Sequence, residues 1–167
     1  MILAASRICH ILEVVCELMG EEDIMIQLVF VLFSMSAMAQ FNTGTFSDVA
    51  LKGYDPVAYF PVSDGGMDKP VKGSEEFTYK YMNATFQFSS KANLEKFKAD
   101  PAKFAPQYGG YCAWAVSQGY TADIDPTAFD VKAGKLYLNY NKSVQRTWRG
   151  SYAAFIKQAD QNWPRLR

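Results

Sequence analysis

Two short stretches of alternating aromatic and polar residues fix the centre of this chain. Phe77-Thr78-Tyr79-Lys80-Tyr81 and Thr85-Phe86-Gln87-Phe88 repeat with a period of two. That is the period at which successive strand side chains leave opposite faces of a sheet. Met82-Asn83-Ala84 joins them, a connection suited to a tight hairpin turn. The pair reads as a β-hairpin with one aromatic face. Directly after it, Ser89 or Ser90 can cap a helix that carries Ala92, Leu94 and Phe97 and ends before Asp100-Pro101.

The rest of the chain continues in short elements. Gly53-Tyr54-Asp55-Pro56 is a turn signal, and the apolar residues 57–60 read as a short strand. Residues 61–72 hold Gly65-Gly66 and Pro70 and form a loop. A short helix is expected around 102–107, then a break at Gly109-Gly110. Two more strands fall near 128–132 and 135–140, turning at Ala133-Gly134. Asn141 caps a helix through Trp148, and a last helix over 152–162 puts Phe155, Ile156 and Ala159 on one face and stops at Pro164. Strands and helices mix without βαβ alternation, so the fold class is α+β: small antiparallel sheets or hairpins packed with several short helices. With 167 residues and no repeat or linker, the chain carries one core.

The first forty residues differ from the rest. From Met25 an apolar run reads Met25-Ile26-Gln27-Leu28-Val29-Phe30-Val31-Leu32-Phe33 and closes in Ala37-Met38-Ala39. An apolar core followed by an A-x-A boundary is the form of an export signal at 25–39, cut between Ala39 and Gln40. The run is too short for a comfortable membrane span, which needs about 20 apolar residues. Glu21, Glu22 and Asp23 precede it where a positive charge is expected. Residues 1–24 then read as a gene-start overcall or a disordered extension. The rival reading takes them as real, with Ile8, Ile11, Leu12, Val15 and Met19 on one face of an amphipathic helix. The expectation is an exported protein, periplasmic or secreted, with one domain over 40–167 and no membrane span in the mature chain.

Charge and ligand counts exclude several functions. Basic and acidic residues balance at 17 each, and the chain from Gln40 keeps 16 against 12, so no nucleic-acid surface is forced. Cys9, His10 and Cys16 all precede Met25, which leaves Cys112 as the one thiol of the mature chain and no histidine. That is too few ligands for a structural zinc site or a disulfide framework.

Taken in order, Gly53-Tyr54-Asp55-Pro56-Val57-Ala58-Tyr59-Phe60, the hairpin, Asn93-Leu94-Glu95-Lys96-Phe97, Asp100-Pro101 and Tyr108-Gly109-Gly110-Tyr111-Cys112-Ala113 resemble a YHS-domain protein. More narrowly they resemble the exported, single-domain branch of that family. The resemblance runs on through Asp125-Pro126, Gly134 to Asn141 and Asn162-Trp163-Pro164. It implies a YHS-like core and an association with soft metal ions, held in the family by cysteines of D-P-V-C and F-C-S-x-x-C motifs. Here Ala58, Ser89 and Asn93 stand at the three cysteine positions and Gln87 at the eponymous histidine. Soft cations need polarisable thiolates, so no metal site and no cofactor are expected.

In the exported branch, some relatives carry selenocysteine after Gly-Gly-Tyr, the position of Cys112. The resemblance therefore implies a reactive thiol, a candidate nucleophile for redox chemistry or soft-ion binding. Tyr111-Cys112 opening a helix would favour a thiolate. Without histidine, activation needs a neighbour such as Asp55, Tyr54 or Tyr108. Against this, free cysteine is commonly a buried small hydrophobe, and Asp55 before Pro56 is commonly a turn residue bonding nearby N–H groups. The alternative is a non-catalytic module with a structural Cys112 and an aromatic pocket. Tyr54, Tyr111 and Trp114 are its candidate binding residues, and its partner is an unknown small molecule or protein. The nucleophile reading expects a partly exposed Cys112 with a depressed pKa; the alternative expects a buried one beside an apolar cavity.

Overall fold

The computed structural model describes residues 41–43 and 47–167, which belong to one compact unit within Met38–Arg167. The export segment, its cleavage boundary, the helix reading of residues 8–19 and the Cys9, His10 and Cys16 group lie outside the described residues. The fold is α+β, with two small antiparallel two-stranded sheets and five α-helices among the described residues. No described helix is long and apolar enough to cross a membrane.

The first hairpin is β1 (Ser74–Tyr81) and β2 (Ala84–Phe88), with Tyr79 opposite Phe86 and Tyr81 opposite Ala84. Its two-residue turn places Met82 and Asn83 at φ 46° and 65°. Left-handed residues at both central positions give the turn whose twist matches the flanking strands. The aromatic face is core. Phe86 and Phe88 are fully buried, and their rings lie 5.0 and 5.2 Å from Phe97. Phe97 comes from α1 (Lys91–Ala99), which starts where the Ser90 hydroxyl accepts the Asn93 N–H. Asp100 ends α1 and caps α2 (Pro101–Phe104) by accepting the Lys103 N–H.

The second half follows the same logic. Cys112 precedes α3 (Ala113–Ser117). β3 (Asp125–Lys132) and β4 (Lys135–Asn139) turn at Ala133 and Gly134, both left-handed. The Asn141 side chain accepts the Val144 N–H and starts α4 (Lys142–Gly150). Helix α5 (Tyr152–Leu166) docks through buried Ala159, and the Asn162 amide donates to the Val116 and Ser117 carbonyls at the end of α3.

Two elements differ from the sequence reading. Residues 57–60 form no strand; they are buried turns. The Asp55 carboxylate takes the Val57 and Ala58 N–H groups that a sheet ladder would need. The last helix does not stop at Pro164 but runs to Leu166. A proline costs a helix interior about 3 kcal/mol. Here it sits in the final turn, where Trp163 and Leu166 pack on the second core cluster beside Tyr108.

Candidate functional site

Two buried centres hold the residues that the sequence singles out as candidate chemistry. The first is Asp55, fully buried at the start of the turn. Its Oδ1 accepts the Val57 N–H at 2.9 Å and the Ala58 N–H at 3.4 Å. Its Oδ2 accepts the Ser89 N–H at 2.8 Å, the Ser89 hydroxyl at 2.6 Å and the Asn93 amide at 2.7 Å. One carboxylate thus ties the 55–58 turn to the end of β2 and the first turn of α1.

Ala58, Ser89 and Asn93 are the positions at which the resemblance places metal-ligating cysteines, and the structure brings all three around Asp55. They do not fit a soft metal. Alanine offers no donor, Ser89 and Asn93 point their donors at the carboxylate, and both Asp55 oxygens are already engaged. Among the described residues no group of three or more His, Cys, Asp or Glu side chains is placed to hold a metal ion.

The second centre is Cys112, a free thiol 1% exposed. Its S–H points to the Asn139 Oδ1 at 3.9 Å, and its sulfur accepts the Tyr140 N–H at 3.3 Å. Burial pushes the thiol pKa up, against N–H groups of Ala115, Tyr140 and Trp114 that pull it down. The Asn139 oxygen, also accepting the Trp114 N–H at 3.4 Å, favours a proton on the sulfur. The partly exposed, acidic thiol of the nucleophile reading is therefore not what the fold builds.

Cys112 nevertheless borders a cavity of about 190 Å³, lined by Trp114, Ala115, Tyr120, Ala122, Tyr140 and Val144 as well. Among the described residues no charged side chain lines it. Tyr120 and Tyr140 are 48% and 56% exposed, and the Trp114 and Tyr120 rings meet edge to face at 6.5 Å. The result is an apolar pocket with a thiol among its walls and an aromatic rim.

The sequence-selected residues divide between these places. Trp114 joins Cys112 in the pocket. Asp55 has the five donors just described, none of them Cys112. Tyr108 gives its hydroxyl to Asp160 at 2.9 Å on α5, and burial holds its pKa far above the ordinary phenol value. Neither is placed to take a proton from the sulfur. Tyr54 stacks under the Lys72 ammonium, 4.6 Å from its ring centre. Tyr111 lines a different cleft and lies 6.2 Å from the Trp163 ring. Sequence reasoning missed Tyr120, Tyr140 and Asn139. The available signal was an asparagine ending the apolar run Leu136-Tyr137-Leu138, with a tyrosine directly after it.

No curated protein and no solved structure matches the chain. A family model, the YHS domain, matches residues 66–108, which cover the hairpin, α1, α2 and the chain up to Tyr108.

Proposed function

We propose that this chain is a small-ligand-binding module built on a YHS domain, with the aromatic-rimmed pocket beside Cys112 as its binding element. The observation that carries this reading is the contrast within the pocket. The sulfur is almost wholly buried and hydrogen-bonded as a neutral thiol, while two tyrosines at the mouth are half exposed. Rigid aromatic side chains around an apolar concavity supply contact area at little entropic cost. The ligand it suits is neutral, compact and apolar or aromatic. The A-x-A boundary at Ala37 and Ala39 supports action outside the cytoplasm.

The thiol-redox and soft-ion reading keeps one observation of its own. Three backbone N–H groups, from Ala115, Tyr140 and Trp114, bear on the sulfur and would stabilise a thiolate. One experiment separates the readings. The full chain is titrated with p-cresol while backbone amide shifts are followed by NMR. In parallel, iodoacetamide labelling of the Cys112 peptide is timed by mass spectrometry. The binding reading expects saturable shifts at Trp114, Ala115 and Tyr140, with labelling about 100-fold or more slower than in the urea-unfolded chain. Labelling of the folded chain at the rate of a free thiol, with no saturable shift, would sink it in favour of the nucleophile.

A further inference from the structure

We propose that a second, polar cleft binds a small zwitterion of the free α-amino acid type. It is lined by Asn42, Thr43, Lys52, Tyr111, Thr121 and Asp123 and measures about 420 Å³, within the ~300–1,000 Å³ typical of small-molecule sites.

The cleft carries one cation and one anion side by side. The Lys52 Nζ lies 2.7 Å from the Asp123 Oδ2, and both side chains are about half exposed. The carboxylate is fixed in place: its Oδ1 accepts the Ile124 N–H at 2.8 Å and the Asn42 amide at 3.3 Å. Partial burial raises the Asp123 pKa, but the Lys52, Ile124 and Asn42 groups outweigh it and hold the carboxyl below its ordinary range. The Lys52 ammonium, by contrast, keeps donors to spare after pairing with Asp123.

An exposed ion pair contributes little to stability, so a ligand that separates it loses little. A zwitterion replaces one ion pair with two, its carboxylate on Lys52 and its ammonium on Asp123. A ligand with a single charge satisfies one partner and leaves the other facing a like charge or none. Thr43 and Thr121 add hydroxyl-bearing side chains to the lining, and Val49 and Ala122 add apolar ones.

Two runs of left-handed backbone flank the cleft. Leu51, Lys52 and Gly53 lie consecutively at φ 54°, 54° and 75°; Tyr108, Gly109 and Gly110 do the same at 53°, 60° and 77°. The two runs abut, because a Cβ on Gly110 would meet the Leu51 side chain at 3.0 Å. Asn42 clamps the second run, with its N–H on the Gly109 carbonyl at 2.7 Å and its amide on the Gly110 carbonyl at 3.4 Å. Left-handed non-glycine residues are uncommon, and such outliers gather at ligand clamps. Lys52, which meets Asp123 in the cleft, lies within the first of these runs.

The test is an NMR titration of the full chain with L-alanine and L-leucine, against acetate and ethylammonium as single-charge controls. Saturable shifts at Asn42, Lys52, Thr121 and Asp123 are expected with both amino acids, at least tenfold tighter than with either control. Lys52→Met and Asp123→Asn should each weaken amino-acid binding tenfold or more. Their melting curves show whether a lost response is lost folding; if either variant is unfolded, Thr121→Val, which leaves the ion pair intact, should still weaken binding several-fold. No saturable response to either amino acid overturns the proposal. So does acetate binding as tightly as alanine with Asp123→Asn unaffected, which would mark a plain anion site.

Discussion

Asp55 and Cys112 are both buried to within a percent of completeness, and they end up with opposite characters. Around Asp55 five donors close on two oxygens, and nothing is left for a ligand to satisfy. Around Cys112 two polar contacts hold a neutral thiol, and an apolar cavity with exposed tyrosines adjoins it. Burial alone therefore does not mark a functional residue. What matters is whether the surrounding atoms exhaust the group and its space. A saturated centre is scaffold; a centre beside unfilled apolar space leaves room for the ligand proposed above.

The sharpest way to break that comparison is to remove the saturated centre. Asp55→Ala strands the donors of Val57, Ala58, Ser89 and Asn93 inside the protein. Each buried donor left unpaired costs about 1–3 kcal/mol, and partial relaxation still leaves a loss of about 3 kcal/mol or more out of a typical 5–15. Urea unfolding of the full chain measures it. A loss under 1 kcal/mol would mean that Asp55 does not hold the turn to β2 and α1.

How much of this was legible in the sequence follows from distance along the chain. The hairpin is a period-two pattern over twelve residues, and the Ser90 and Asn141 caps act on N–H groups three residues on; both can be read locally. The Asp55 centre needs Ser89 and Asn93, 34 and 38 residues away. Without them, the apolar residues 57–60 look like a strand, because periodicity does not show a carboxylate claiming two N–H groups. The pocket is likewise assembled from Cys112, Tyr120 and Tyr140, on separate elements. Cys112 itself stood out by elimination. Its state did not, since the Asn139 oxygen that keeps it protonated lies 27 residues on.

Alkaline pH tests the second centre and its neighbours. Burial raises the pKa of Cys112 above 9.0, and those of Tyr59, Tyr108 and Tyr137 above 10.0. The unfolded chain releases these protons first, so above pH 9 it binds fewer protons than the folded chain. Stability is then whole below pH 9 and falls as pH rises. Each group kept neutral contributes a slope of up to about 1.4 kcal/mol per pH unit. Urea midpoints from pH 8 to 11 should show the decline, and Cys112→Ala should flatten its first part, between 9 and 10. A flat profile would mean that these groups ionise in the folded state as freely as in the unfolded one.

The smallest expected effect comes from Cys112→Ser. A hydroxyl can still accept the Tyr140 N–H, while the Asn139 oxygen, 3.9 Å from the sulfur, is beyond O–H···O reach unless the side chains shift. The cost is a larger, more apolar atom replaced by a buried hydroxyl with one contact weakened, about 1–2 kcal/mol. If Cys112 is only a packing residue, p-cresol should bind the Ser variant within threefold of the parent chain, because the aromatic rim supplies the contacts. If binding instead vanishes while the fold holds, the sulfur itself touches the ligand. The two centres would then differ further still, Asp55 turned wholly inward and Cys112 outward as a recognition group.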